Sequence, residues 1–220
     1  MYTPPANQVT DPEALRAMIE GSRLATLVTA TAEGILATPM PLLFEATEGP
    51  HGTLYGHLSR ANEQWRMAPV GEALVLFSGP DAYVTPSWYA TKQTTGKVVP
   101  TWVYVAVHAY GPVEFFDDKS RLLDIVSRLT SLHEGGRAQP WAVTDAPEPY
   151  IQAQLRGIVG VRLPITRVQG KRKMDQAESL EDRIGVARGL AASKQPSDRA
   201  VAPLVPTDPN VGGRRGRAGL

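Results

Sequence analysis

The stretch that most constrains the fold is TWVYVAVHAYGPVEFF, residues 101–116, because it alternates with period two and is nevertheless apolar on both faces. Trp102, Tyr104, Ala106, His108 and Tyr110 fall on one face, and Val103, Val105, Val107 and Ala109 on the other, since successive side chains of a strand point to opposite sides. Such a strand has to be covered twice. Core must cover one face; core, a ligand or a second subunit must cover the other.

The segments RLATLVTA, ILATPMPLLF, TLYGHLS and EALVLFS are short apolar runs separated by Gly, Pro or Glu-Gly, and they read as four further strands, the first two a hairpin across Thr31 to Gly34. In TDPEALRAMIEG, Asp11 precedes a proline at the first helical position and Gly21 closes the run, which predicts a helix over 12–20. RANEQWRM predicts one or two helical turns that send Trp65 inward. DDKSRLLDIVSRLTSLHE carries Leu122, Ile125, Val126, Leu129 and Leu132 at helical spacing behind an Asp cap, and PEPYIQAQLRG predicts a shorter helix before the apolar strand GIVGVRLPITRV. Strands early, helices late and no βαβ alternation define an α+β, mainly β fold: an antiparallel barrel with peripheral helices. From about residue 191 the chain turns rich in Pro, Gly and Arg, so a domain over 1–190 and a disordered tail over 191–220 are expected.

Composition excludes several chemistries. The formal net charge is +1 with the basic residues scattered, unlike the broad basic surface that duplex binding requires. With no cysteine in the chain, thiol nucleophiles, thiolate metal sites and disulfides are all absent, and redox chemistry would need a cofactor. The histidines at 51, 57, 108 and 133 share no ligand spacing, so no metal site is expected, and no paired carboxylates or nucleophile elbow assign a catalytic residue. No basic leader with an apolar core and no apolar run near the roughly 20 residues that span a bilayer is present. A cytoplasmic location away from membranes is the expectation.

Two segments concentrate polar chemistry among rings. YGHLSRANEQW leaves a strand and offers His57, Ser59, Arg60 and Asn62, while SWYATKQTTGKVVPTW offers Ser87, Lys92, Lys97 and Thr101 between tryptophans. Cations with hydroxyls hold a phosphate by charge-assisted hydrogen bonds, and Trp or Tyr faces cover a planar ring system. An aromatic, phosphorylated ligand suits both segments. Aromatic residues at strand ends also serve as core or dimer-interface filler, and both readings stand at this point.

The segments GHLSRANEQW, GPDAYVTPSWY, GKVVPTWVY followed by HAYG, then LTSLHE, YIQAQLRGIVGVRLPI and GKRKMDQ resemble, in this order, the PaiB family of FMN-binding split-barrel proteins, usually described as negative transcriptional regulators. The resemblance covers about residues 1–190. It implies a six-stranded split β-barrel that forms a homodimer and holds FMN near the subunit interface. By motif position it carries cofactor binding to His57, Arg60 and Asn62 on GHL-x-RAN, to Ser87, Trp88 and Tyr89 on PSWY, and to Lys97, Thr101 and Trp102 on GKVVPTW. Side-chain chemistry then gives Arg60 and Lys97 the phosphate or ribityl oxygens, Ser87 and Thr101 hydrogen bonds, and Trp88 or Trp102 the ring packing.

Some PaiB-like proteins resemble haem enzymes instead, including piperazate synthases that form a nitrogen–nitrogen bond, and there His57 would be the axial ligand. The chain also departs from the family pattern. Val103 stands where Asn is usual, which removes an expected ligand hydrogen bond, and GKRKMDQA keeps Lys171, Lys173 and Gln176 but has Arg172 in place of a ring and Ala177 in place of Asn. Direct DNA contact, which the regulator description would imply, finds no helix-turn-helix pair with a basic recognition helix. The polar side of the best helix mixes Asp117, Asp118, Asp124 and Glu134 with Lys119, Arg121 and Arg128.

Overall fold

The computed structural model describes residues 1–210. Ten strands occur among them: β1 (Gln8–Val9), β2 (Ala25–Thr31), β3 (Gly34–Met40), β4 (Leu43–Glu45), β5 (Thr53–Ser59), β6 (Ala73–Val84), β7 (Thr101–Gly111), β8 (Glu114–Phe116), β9 (Ile158–Pro164) and β10 (Arg167–Lys173). The helices are α1 (Pro12–Glu20), α2 (Thr91–Thr94), α3 (Lys119–Glu134), α4 (Glu148–Arg156), α5 (Leu180–Ala191) and α6 (Pro196–Val201), with short 3-10 turns between. One sheet has the order β1-β10-β7-β6-β2-β3 and the other β4-β5-β9-β8. By contact density the chain forms two compact units, one of residues 1–15, 78–107 and 169 onward, the other of 16–77 and 108–168.

In the unit of residues 16–77 and 108–168, β2 and β3 pair from Ala25↔Met40 to Thr31↔Gly34, the hairpin expected from the sequence. The turn is held by Thr31, whose Oγ1 donates to the Gly34 carbonyl and accepts from Glu33 N. β5 pairs with β9 along all seven residues, placing His57 opposite Gly160. A Cβ on Gly160 would lie 2.3 Å from the Phe116 ring, so only glycine admits that ring against the sheet. The strand foreseen over 101–116 is two: β7 stops at Gly111 and β8 begins at Glu114, because Pro112 has no N–H to continue the ladder. On α3, Leu122, Ile125 and Leu129 are buried, whereas Leu132 is 60% exposed, so its apolar stripe ends a turn before the helix does.

In the unit of residues 1–15, 78–107 and 169 onward, β1 pairs with β10, Gln8 opposite Lys171. α5 begins at a Ser179 cap whose Oγ accepts from Asp182 N. The Trp88 ring lies where a Cβ on Gly189 would reach it at 2.3 Å, and the Trp88 carbonyl where a Cβ on Gly185 would reach it at 2.0 Å. The two glycines make α5 a docking groove for the Pro86–Trp88 turn.

The expectation of a disordered tail from 191 fails for its first twenty residues. α6 and a 3-10 turn over Ala202–Leu204 follow α5, Val201 and Val205 are buried, and the buried Arg183 guanidinium donates to the Pro206 carbonyl at 2.7 Å. Averaged composition hid two apolar anchors, each contributing about 1.5–3 kcal/mol on burial, and Pro196 sits at a helix start, where it costs nothing. The remainder of that expectation, residues 211–220, lies outside the described residues.

Candidate functional site

The nine residues expected to bind a cofactor divide between the units: His57, Arg60 and Asn62 fall in one, and Ser87, Trp88, Tyr89, Lys97, Thr101 and Trp102 in the other. In the first cluster, most of the polar capacity is spent on the fold. Arg60 Nε donates to the Arg156 carbonyl at 2.8 Å and Nη2 to the Ile158 carbonyl at 3.0 Å, with Nη1 3.9 Å from Asp117. The guanidinium thus satisfies the last carbonyl of α4, where the helix dipole favours a cation, and the first carbonyl of β9. Asn62 caps a 3-10 turn, accepting from Gln64 N at 2.9 Å and donating to Thr38 Oγ1 at 2.9 Å.

The residue that this turn sends inward is Gln64, not Trp65. Gln64 is 1% exposed, donating to the Leu27 carbonyl and Thr29 Oγ1 and accepting from Thr38 Oγ1 at 2.6 Å. Trp65 remains half-buried, its Nε1 donating to the Arg60 carbonyl and its face covered by the Arg60 and Arg66 guanidinium groups. A ring that stacks two cations at the rim keeps contact with water on one side.

His57 sits on β5 with Nδ1 fully buried and without a hydrogen-bond partner among the described residues. Desolvation lowers its pKa, so the imidazole is neutral at pH 7. A haem-ligating histidine is oriented by an acceptor on its second ring nitrogen. Among the described residues Nδ1 has none, so the bond that would orient His57 as a haem ligand is missing from them.

The same unit holds a cavity of about 340 Å³ lined by Tyr55, Ser120, Arg121, Asp124, Ile125 and Arg128. Its cations are already neutralised: Arg121 pairs with Glu114 and Arg128 with Glu45, each at 2.8 Å. Nearby, Glu48 accepts from Tyr55 Oη at 2.6 Å and from Arg162, bonds that hold its carboxyl below the ordinary glutamate value. This is an ion-pair network without spare charge for an anion.

The second cluster divides by role. Trp88 packs on α5, and Tyr89 is buried with Oη donating to Asp175 Oδ2 at 2.8 Å. Burial raises the pKa of both partners, and Asp175 adopts a φ of 55°, a left-handed conformation Asp tolerates better than most residues. These side chains build the turn rather than face solvent. Ser87 Oγ accepts from Lys92 Nζ at 3.1 Å, and Lys97 is exposed, its ammonium having no partner among the described residues.

Trp102 opens a different face. On β7, Val103, Val105, Val107 and Ala109 form the core side, while Trp102 is 55% exposed and meets Tyr83 edge to face at a centroid distance of 5.9 Å. Val103 is wholly buried, so the change from the family's Asn lies in the core and removes nothing from the Trp102 side. Lys173 Nζ donates to Thr101 Oγ1 and to the Trp102 carbonyl, both at 2.5 Å. Lys171 Nζ lies 5.0 Å from the centroid of the Tyr104 ring. Tyr83, Trp102, Tyr104, Lys171 and Lys173 therefore share one side of the sheet. Sequence reasoning noted the two lysines only as retained pattern residues; the signal was their i, i+2 spacing on a strand, which aims both at one face.

The fold class that these two antiparallel sheets define is the split barrel. Among solved structures, the FAD and haem binding protein from Mycobacterium smegmatis aligns over 76% of this chain and 73% of that one, with a TM-score of 0.54 and 18% identity. The chain belongs to the PaiB-type family, whose model, described as "Putative FMN-binding domain", matches residues 1–167. Protease synthase and sporulation protein PAI 2 of Bacillus subtilis is 30% identical over 93% of this chain and 96% of its own. An uncharacterised protein of Aspergillus fumigatus is 38% identical over 63% of this chain, and the match spans 66% of that protein.

Proposed function

We propose that the protein is an FMN-binding flavoprotein in which the Tyr83–Trp102–Tyr104 side of the sheet carries the isoalloxazine ring. The observation that carries the reading is the exposure of Trp102 beside two amines. A large indole more than half in water on a β-strand whose opposite side is fully buried marks an interaction surface, and flat rings with nearby cations match a planar, phosphorylated ligand. Family membership points the same way. Thr101 and Ser87 supply hydroxyls, and Lys97 an uncommitted charge. Bound flavin would provide electron transfer; what the chain's own residues do is bind and orient it.

A homodimer belongs to the same reading. Tyr83 is 46% and Val99 73% exposed in the same unit as Trp102, and a second copy would cover apolar area that a flavin alone leaves wet. Regulation, if the family role extends to this chain, would then act through the flavin state and the dimer, since the net charge of +1 offers little to DNA. Haem draws no support from the environment of His57.

The test is a flavin titration of the purified chain, followed by visible absorption, with the Trp102→Ala variant beside it. The expected outcome is uptake of FMN by the wild type and affinity roughly tenfold weaker in Trp102→Ala, since an aromatic contact contributes about 0.5–1.5 kcal/mol beyond its buried area. A wild type that takes up haem and no FMN would sink the proposal.

A further inference from the structure

We propose that Lys171, seconded by Lys173, anchors the phosphate of an aromatic phosphate monoester lying against Trp102 and Tyr104. The proposal rests on the flavin reading and assigns the part of the ligand that reading leaves open. Lys171 is 8% exposed, yet its ammonium has a single oxygen acceptor among the described residues, the Tyr2 carbonyl at 3.2 Å. Its remaining neighbours are ring faces, Tyr104 at 5.0 Å and Tyr2 at 5.9 Å from Nζ. An ammonium carries three donors, so Lys171 can meet further oxygens beside the Tyr2 carbonyl. One of the three is used on Tyr2, and the others are flanked by rings that hold the charge in place without offering oxygen.

The missing acceptor is an anion with more than one oxygen. Among the described residues no carboxylate forms an ion pair with either lysine; Asp81, on the strand that carries Tyr83, is exposed, and Asp175 feels Lys173 only at longer range. Lys173 has spent two donors on Thr101 and Trp102 and retains a third. Side chains two residues apart on a strand lie roughly 6.6 Å apart along it and on the same face. A dianionic phosphate fits between two such amines, and the exposed indole beside them takes the flat part of the ligand. Access lies on the side of Tyr2, which is 84% exposed and covers the ammonium through one hydrogen bond, so a phosphate oxygen can replace its carbonyl.

Arg60 and Lys97 were the cations expected from sequence to meet phosphate. Arg60 has donors on the Arg156 and Ile158 carbonyls, and Lys97 is a solvated loop side chain. Both lysines of β10 lie beyond residue 167, where the family match ends.

The experiment compares FMN with riboflavin, which has the same ring and no phosphate, by quenching of flavin fluorescence on the full chain. In the wild type FMN should bind at least about tenfold more tightly, the scale of a charge-assisted hydrogen bond of about 1.5–3 kcal/mol. Lys171→Met should abolish most of that preference. Lys171→Arg should retain it, and Lys173→Met should reduce it in part. Circular dichroism melting of each variant separates loss of the anchor from loss of fold, with Lys173→Met deciding if Lys171→Met does not fold. A wild type that binds both flavins equally, or a preference that survives both Met variants, overturns the anchor alone. A wild type that binds neither overturns the flavin reading with it.

Discussion

At the scale of the residue, the chain separates side chains that hold the fold from those that remain available. Tyr89 and Trp102 both come from motifs with a cofactor-binding expectation, yet one is buried against Asp175 and the other is open to solvent. Asp175 also sets a pH dependence. Burial holds its carboxyl above the ordinary aspartate value, against the opposing effects of the Tyr89 hydrogen bond and Lys173. The folded chain therefore binds this proton more tightly than the unfolded chain, so the group favours folding at pH below its unfolded value and loses that contribution as pH rises through its folded value. Asp175→Asn keeps an acceptor for Tyr89 and tolerates the left-handed φ. Its melting temperature should exceed that of the wild type at neutral pH and lose that advantage in acid, measured by differential scanning calorimetry across pH.

At the scale of the element, α5 shows how packing reverses a local preference. Replacing a helix-interior glycine by alanine ordinarily stabilises by about 1 kcal/mol. At Gly185 the added Cβ would stand 2.0 Å from the Trp88 carbonyl oxygen, and a backbone oxygen cannot move aside as a flexible side chain can. Overpacking of that kind costs about 1–3 kcal/mol, so Gly185→Ala should destabilise the protein by roughly that amount despite its better helix propensity. Denaturant unfolding with tryptophan emission reads both the stability and the displaced Trp88. Glycine spacing along 185–189 was visible in the sequence, but nothing there identified a tryptophan nearly a hundred residues away as the reason.

At the scale of the whole molecule, the proposed flavin site and the proposed dimer share the open face of β7. A dimer that covers Trp102, Tyr83 and Val99 should sediment as two chains, and Tyr83→Ser with Val99→Ser should shift it toward the monomer. The monomeric form should also hold FMN more weakly, because a ring covered on one side stays partly wet. A wild type that sediments as a monomer with FMN fully bound would separate the two roles and remove the dimer from the proposal.

Local information carried much of the fold. The cap and proline before α1, the hairpin at Thr31 to Gly34, the β5 strand and the Asp118-capped α3 were all legible, since each depends on spacing within a few residues. Alternation also showed that the β7 strand has two apolar faces. What alternation could not say is which face the core takes: Val103 and its partners won burial, leaving Trp102 in water, because that depends on elements remote in sequence. The same reason hid Gln64, whose amide satisfies groups on Leu27, Thr29 and Thr38, and the ordered segment after α5, whose two valines gain stability only where α5 provides a surface. Candidate site chemistry was readable as residue types; commitment of Arg60 to the Arg156 and Ile158 carbonyls and the burial of Lys171 beside two rings were tertiary outcomes. A hydrogen bond or a buried face needs two partners, and the second partner is usually far along the chain.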